Sequence, residues 1–226
     1  MRTLYHWPLD PDSRQARLAL AEKKLKFKLV QVTPWAPEED FLRLCTEGVP
    51  PCLTEDTNTG KTVISTARAI CEFVADDQGS RYPLMPNTPQ ERAEVRRMAQ
   101  WFDVKFAGDV NAYILSERIE KSFSGTGAPD PAVLRVGREH MKFHFEYLSW
   151  LLETRDWIAG SSLSLADLAA GAHLSCLDYL DEVNWDKWDG LKNWYQKLKS
   201  RPSFRPLLAD IVPGLRPPRH YADLDF

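Results

Sequence analysis

The spacing of apolar residues divides the first 76 residues into short strands and helices. Residues 27–32 alternate apolar and polar side chains, which is typical of a strand, and residues 3–5 form a shorter strand before them. An apolar stretch that includes Leu18 and Leu20 predicts a helix over residues 11–24 between the two. The elements predicted next are a helix over 38–44, strands over 48–53 and 61–64, and a helix over 66–74. This βαβαββα order predicts a four-stranded mixed sheet in which the first two strands are parallel.

Strand patterns stop after a linker rich in proline and glycine, and only helices are predicted beyond it. The predicted helices cover residues 89–120, 132–152, 190–200 and 204–209, and a further one begins after Ser164 and is rich in small residues that favour close packing. The fold class is therefore α/β plus all-α, with an N-terminal βαβαββα domain and a C-terminal helical domain. The predicted boundaries are 1–76 for the first domain, 77–89 for the linker, 90–212 for the helical domain and 213–226 for an extended tail.

Composition limits the kinds of partner that the protein can have. The chain has 226 residues, 43% of them hydrophobic and 27% charged. Its formal net charge of −3 gives no electrostatic reason to expect binding to nucleic acid. No apolar run reaches the ~20 residues that a membrane span needs, and we expect no insertion into a membrane. The predicted first strand already begins at residue 3, so we expect no signal peptide. We therefore expect a cytoplasmic protein whose four scattered cysteines are buried and reduced.

The junction between the first strand and the first helix is a candidate binding site. Asp10 is a good N-cap residue, and Pro11 suits the first helical position because its missing N–H would have no helical partner. A helix N-terminus placed there can hold an anionic or thiolate ligand. The five histidines suggest less: His140 and His144 share a helix face but lack an accompanying glutamate motif, so we predict no metal site.

Five features, in this order along the chain, resemble the glutathione transferase superfamily. They are the strand–proline–helix start with Ser13 and Arg17, the pair Val49-Pro50 at the family's cis-proline position, Ala69-Ile70, the capping box of residues 164–167, and the closing run of residues 194–204. The resemblance implies a thioredoxin-like N-terminal domain, a helical C-terminal domain and a glutathione site. In that site a Ser, Tyr or Cys hydroxyl or thiol at the end of the first strand stabilises the glutathione thiolate.

The residues at the implied glutathione positions do not suit that chemistry. Asp10 occupies the serine position, and an ionised carboxylate cannot donate a hydrogen bond and repels a thiolate. Tyr5 and Ser13 are the possible substitutes, although a strand residue and a first-turn residue more often have structural roles. Thr66 and Ala67 stand where the family binds the γ-glutamyl group; Thr66 can still cap the helix, but Ala67 offers no side-chain donor.

These substitutions predict no catalytic residue and no cofactor, with a degenerate glutathione site at Asp10, Val49, Pro50, Thr66 and Ala67. The alternative that remains open is a transferase that conjugates glutathione to a small electrophile.

Two features outside that site suggest partner binding. Trp35 lies between two prolines on a stiff loop, where it can anchor an interface or pack over the adjacent helix. The proline-rich tail is predicted to be extended, and it ends in alternating apolar and acidic residues that can dock on a partner; a disordered or self-packed tail is the alternative. The predicted contact residues of the tail are Tyr221, Asp223, Leu224, Asp225 and Phe226.

Four segments resemble a non-enzymatic branch of the superfamily that acts in bacterial cell division. They are residues 4–11, 32–40, 67–72 and 220–226. This resemblance implies a homodimer that binds filaments of the tubulin-like protein FtsZ, modulates their curvature or bundling, and couples them to septal cell-wall synthesis. It also implies a cytoplasmic location at the division site and contacts with other septal division proteins.

Overall fold

A four-stranded sheet forms the centre of the N-terminal half. The computed structural model describes residues 1–58, 60–77 and 82–224. Strand order in the sheet is β2-β1-β3-β4; β1 pairs with β2 in parallel, with Leu4 opposite Leu29, and the other two pairings are antiparallel. The strands are β1 (Arg2–His6), β2 (Lys28–Gln31), β3 (Cys52–Thr57) and β4 (Gly60–Ser65).

Three helices complete this half and give the predicted βαβαββα order. Helices α1 and α3 pack against each other, and Leu4, Leu18, Leu53 and Ile70 are fully buried in the core that they share with the sheet. The thioredoxin-like N-terminal fold is therefore confirmed. The helices are α1 (Pro11–Glu22), α2 (Glu39–Leu44) and α3 (Ala67–Ala75).

The third strand and the cis-proline are placed differently from the prediction. β3 begins at Cys52 rather than four residues earlier, because Pro50 and Pro51 lack the N–H groups that a ladder needs. The cis peptide bond joins Pro50 to Pro51, so the predicted position between Val49 and Pro50 is wrong by one residue. Two successive prolines offer two candidate bonds, and the local sequence does not decide between them.

The C-terminal half is helical, as predicted. Its first helical stretch runs without a break from Pro89 to Ser124, four residues beyond the predicted end, and includes two π-helical segments. The segments along it are α4 (Pro89–Gln100), a π-helix (Trp101–Asn111), α5 (Ala112–Leu115), a second π-helix (Ser116–Glu120) and α6 (Lys121–Ser124). The helices that follow are α7 (Pro131–Leu152), α8 (Leu165–Tyr179), α9 (Asp189–Lys199) and α10 (Arg205–Leu208), with 3₁₀ turns at Trp185–Lys187 and Arg219–Tyr221.

Helix α8 is the centre of this half, and every one of its residues is buried. Both arms of the predicted capping box are present between Ser164 and Asp167. Asp167 also accepts from the backbone N–H of Ile158 at 2.8 Å and from Trp194 Nε1 at 3.0 Å, although burial raises the pKa of its carboxyl to about 6. Gly171 leaves no room for a Cβ against Leu198 of α9, which confirms the predicted close packing.

Helix α1 joins the two halves, because it packs on α8 as well as on the sheet. Arg14 is completely buried and donates to the Pro8 carbonyl and the Ser175 hydroxyl, both at 2.7 Å. Arg17 forms a bidentate pair with Asp210, with N···O distances of 2.7 and 2.9 Å. These paired cations fix the orientation of α1, and therefore of its N-terminus, relative to the helical half.

The cysteines and the helices can be compared with the expectations of buried thiols and of no insertion into a membrane. All four cysteines are buried and free, and burial raises the pKa of Cys52, Cys71 and Cys176 to about 12. Within the described part of the chain, every helix is too short or too polar to cross a lipid bilayer.

Candidate functional site

Asp10 caps α1 as the sequence predicts. Its backbone is extended (φ −99°, ψ 121°), and its Oδ2 accepts a hydrogen bond from the Ser13 N–H at 2.7 Å, while Pro11 takes the first helical position. Burial raises the pKa of the Asp10 carboxyl, and the hydrogen bonds from the helix N-terminus and the charge of Arg14 counteract this effect. Through Oδ2, Asp10 is a hydrogen-bond acceptor for the helix, at the position where the resemblance predicts a donor to the glutathione thiolate.

The two possible substitutes for a thiol-activating hydroxyl both have structural partners. The Ser13 side chain is fully buried, and its Oγ accepts a hydrogen bond from the Trp7 N–H at 3.1 Å. Tyr5 lies in β1 with its ring 5.7 Å from that of Phe41. The Ser13 oxygen therefore already has a backbone partner, and the Tyr5 ring has a packing role in the sheet.

Thr66 and Ala67 are the residues predicted to face the γ-glutamyl group. Thr66 caps α3, as predicted, by accepting from the Ala69 N–H at 3.4 Å. Ala67 is buried and carries only a methyl group. Arg68, the nearest cation along the chain, is paired with Asp103. A glutathione carboxylate would therefore find neither a side-chain hydroxyl at residue 67 nor an unpaired charge at residue 68.

Trp35 belongs to a cluster of three aromatic rings, which we call the aromatic cluster: Trp7, Trp35 and Phe123. Trp35 stacks on Phe123 at 5.4 Å between centroids, and Trp7 meets both rings edge-on at 5.1 and 5.7 Å. Trp35 is half-buried, so part of its ring remains open to a partner. The sequence left open an interface anchor or packing over the adjacent helix; the helix that the ring meets is α6, which contributes Phe123 from the C-terminal half.

A cleft of about 380 Å³ lies beside the aromatic cluster, between the two halves of the chain. We call it the domain cleft. It brings together Asp10, Trp35 and Val49, which the sequence singled out, and Val49 is half exposed there. Thr66 and Ala67 are not among its lining residues. The helical half supplies residues that the sequence analysis missed, including Asn111, Leu115, Ile119 and Glu120, because their place in the cleft depends on tertiary packing.

A second cluster that the sequence analysis missed surrounds Asp12. One ligand atom each of Asp12, Asp103 and His173 lies within 4.8 Å of the others. Asp103 is already paired with Arg68 and accepts from Gln15 Nε2 at 2.7 Å. The guanidinium thus provides the positive charge that a metal ion would otherwise supply, and the three residues are a poor metal site.

The same cluster predicts a pH-dependent stability. Burial and then the neighbouring Asp10 raise the pKa of Asp12 from 3.8 to about 7; Asp103 also raises it, while His173 and Arg68 lower it. The folded protein therefore binds this proton more tightly than the unfolded chain, so the free energy of unfolding falls as pH rises from about 4 to about 7. Asp12→Asn removes this loss and should gain about 2 kcal/mol over wild type between pH 5 and pH 8.

Urea unfolding of both proteins at pH 5, 6.5 and 8 measures this difference. Asp189→Asn, at an exposed acid in the first turn of α9, is the matched control and should follow wild type. If the free energy of unfolding falls equally with pH in wild type and in Asp12→Asn, Asp12 is not the cause of the pH dependence.

The described part of the tail folds back onto the helical half rather than extending into solvent. Tyr221 is completely buried, its hydroxyl donates to the Leu207 carbonyl at 3.0 Å, and its ring meets Tyr179 edge-on at 5.1 Å. The prediction of an extended tail is therefore wrong up to this point, and Tyr221 is a core residue rather than a contact residue. Asp223 is exposed and Leu224 half-buried; Asp225 and Phe226 lie outside the described residues.

The buried carboxylate of Asp178 holds this segment in place. It accepts from Trp185 Nε1 at 2.8 Å and from the Tyr195 hydroxyl at 3.1 Å, and it lies 3.7 Å from Lys199 Nζ and 3.2 Å from His220 Nε2. Burial lowers the pKa of Lys199 to about 8, whereas the hydrogen bond with Asp178 raises the pKa of His220. Lys199 Nζ also donates to the His220 carbonyl at 3.2 Å. The charged groups thus join the tail to α8 and α9.

The sheet, the helical half and the cleft between them define the class of protein. Family models for the glutathione S-transferase N-terminal and C-terminal domains match residues 11–77 and 128–202, and the chain belongs to the glutathione S-transferase family. It is 51% identical over 225 residues to FtsZ-localized protein A of Caulobacter vibrioides, a match that covers 100% of this chain and 98% of that protein.

Two solved structures are similar over the whole chain. The structure of FzlA from C. crescentus has a TM-score of 0.97 and 51% sequence identity, with 100% of this chain and 99% of that chain covered. A glutathione S-transferase structure from Rhodospirillum rubrum has a TM-score of 0.94 and 42% identity, with 100% of both chains covered.

Proposed function

We propose that the protein is a non-enzymatic, glutathione-transferase-like homodimer that binds FtsZ filaments at the division site in the cytoplasm. In this role it modulates the curvature or bundling of the filaments and couples them to septal cell-wall synthesis, with other septal division proteins as further partners. The observation that carries the proposal is the full-length similarity, at 51% identity, to a protein named FtsZ-localized protein A.

The state of the glutathione site supports a binding role over catalysis. Asp10 accepts hydrogen bonds from the N-terminus of α1, and Ala67 has no polar side chain, so two separate parts of the site have lost groups that catalysis uses. The same region retains a half-exposed tryptophan beside an open cleft. The filament-binding surface that we propose comprises Trp35 with the edge of the domain cleft, and Asp223, Leu224, Asp225 and Phe226 of the tail.

An exposed apolar stripe on α7 supports the homodimer. Val136, Phe143 and Trp150 are spaced seven residues apart, so they lie on one face of the helix. Phe143 is 65% and Trp150 62% exposed, and Val104 of the adjoining π-helix is 59% exposed. A stripe of this kind is suited to a second copy of the chain across a two-fold axis. A dimer carries each filament-binding surface twice. Once one surface is bound, the second contact with the polymer is intramolecular, which strengthens the overall binding.

Co-sedimentation with polymerised FtsZ tests the proposal and separates the contributions of its two surfaces. Because Tyr221 is part of the core, the tail is tested with a chain that ends at Asp223 rather than one that ends before Tyr221. If the tail contributes, this chain should pellet less with FtsZ than wild type does while unfolding at the same urea concentration. Equal pelleting would remove residues 224–226 from the proposed surface.

The second candidate function is glutathione conjugation to a small electrophile, favoured by the R. rubrum glutathione S-transferase structure with 42% identity. Asp10→Ser restores the missing hydroxyl but leaves Ala67 unchanged, so we expect no conjugation of glutathione to a generic electrophile above the rate of the unmodified chain. The measurement is the absorbance change of the electrophile, with retention on immobilised glutathione as a second readout. The double variant with Ala67→Ser is the matched comparison; robust turnover by Asp10→Ser alone would show that residue 67 does not limit the site.

A further inference from the structure

Two buried polar atoms in residues that line the domain cleft have no hydrogen-bond partner among the described residues. They are Nε1 of Trp7, a donor, and Oδ1 of Asn111, an acceptor. Trp7 is only 5% and Asn111 7% exposed. A buried donor or acceptor without a partner is unfavourable, so these two atoms are candidates for hydrogen bonds with a bound ligand.

One unpaired donor and one unpaired acceptor together match a peptide backbone. Each peptide unit offers one C=O, which Trp7 Nε1 can bind, and one N–H, which Asn111 Oδ1 can bind. The rest of the lining is largely apolar, with Leu9, Leu115 and Ile119 next to the rings of Trp7 and Trp35. Backbone hydrogen bonds combined with an apolar pocket are how extended peptide segments are commonly recognised.

The charge of the cleft indicates which peptide it favours. The charged residues among its lining are Asp10 and the exposed Glu120, and none of the described lining residues is basic. Glutathione has two carboxylates and would meet no cation in this lining. A segment that carries Lys or Arg next to an apolar residue is the complementary ligand, because opposite charges at the rim of a site favour the encounter.

We propose that the domain cleft binds an extended segment of the partner protein, in which one apolar side chain lies on the aromatic cluster and a neighbouring basic residue faces Glu120. The proposal deepens the proposed function and rests on it, because the partner is FtsZ. Trp7 Nε1 and Asn111 Oδ1 bind the backbone of the segment. Both atoms are covered in the present conformation, so the segment reaches them only when neighbouring side chains of the cleft lining shift.

Trp7→Phe tests the proposal because it removes the Nε1 donor and keeps an aromatic ring. Overlapping fluorescent peptides that cover the FtsZ sequence are titrated against the full-length protein, and binding is followed by fluorescence anisotropy. We expect one peptide with an apolar and a basic residue to bind, about tenfold more weakly to Trp7→Phe than to wild type. Trp188→Phe is the matched control: this half-buried tryptophan packs edge-on against Phe145, is not one of the lining residues, and should bind as wild type.

Stability separates ligand binding from a purely structural role of Trp7. The unpaired Nε1 does not stabilise the free protein. Trp7→Phe should therefore unfold at the same urea concentration as wild type or a higher one, while its affinity for the peptide falls. A structural role would lower both together and would contradict the proposal.

Two further outcomes distinguish this proposal from the proposed function. If the protein pellets with FtsZ filaments but no peptide binds, or if wild type and Trp7→Phe bind the peptide equally, the peptide proposal is overturned and the proposed function stands. If the protein does not pellet with filaments, both are overturned.

Discussion

Asp178→Ala should lower the free energy of unfolding by about 3–5 kcal/mol, since removing one partner of a buried ion pair leaves the other charge uncompensated. Asp178 and Lys199 have no exposed side-chain surface, and the Trp185 and Tyr195 donors would lose their acceptor in the same step. The measurement is urea unfolding followed by circular dichroism. The segment from residue 213 to 224 should also exchange its amide hydrogens faster, because His220 loses its partner.

Two variants show whether the uncompensated charge causes this loss. Asp186→Ala removes an acid that is 92% exposed and lies 3.7 Å from Lys192, and it should change the free energy of unfolding by less than about 1 kcal/mol. Combining Asp178→Ala with Lys199→Met removes the unpaired cation, so the double variant should be more stable than Asp178→Ala alone. If Asp178→Ala is as stable as wild type, the Asp178 carboxylate does not hold the tail in place.

Trp35→Ala should weaken co-sedimentation with FtsZ filaments at least about 30-fold, the effect of a hot-spot residue worth about 2 kcal/mol or more. The ring combines an exposed part with stacking on Phe123 and an edge contact with Trp7, so it is held in position before a partner arrives. The measurement is a titration of each variant against a fixed amount of polymerised FtsZ, with the bound fraction read from the pellet.

Two further variants of the chain are titrated in the same way for comparison. Trp35→Phe keeps an aromatic ring on the cluster and should recover part of the binding. Ile211→Ala removes an apolar side chain that is 82% exposed and is not among the lining residues of the domain cleft, and it should bind as wild type does. If Trp35→Ala pellets as well as Ile211→Ala, Trp35 is not part of the filament-binding surface.

The features that the sequence predicted well depend on neighbouring residues along the chain. The N-cap at Asp10 and the capping box from Ser164 to Asp167 are local hydrogen-bond patterns, and both are present. The alternation over residues 27–32 and the βαβαββα order also follow from short stretches of sequence. The fold of the N-terminal half could therefore be inferred without tertiary information.

The features that the sequence did not reveal depend on contacts between distant residues. Trp35 meets Phe123 of α6, and the Asp12 cluster joins α1 to Asp103 and His173 in the helical half. The prolines of the tail predicted an extended chain, but Tyr221 finds a buried site against Tyr179 and Leu207 that no local pattern indicates. The candidate glutathione positions could be compared with the family pattern from the sequence alone. The cleft that surrounds Asp10 and Val49 could not be predicted, because it depends on contacts between the two halves of the chain.

We propose that this chain keeps the glutathione transferase fold and uses it to bind FtsZ filaments. The decisive measurement is co-sedimentation of the full-length protein with polymerised FtsZ over a range of protein concentrations. We expect the protein to enter the pellet only when filaments are present, and we expect the bound amount to saturate. Protein that stays in the supernatant at every concentration, with filaments confirmed in the pellet, would contradict the claim.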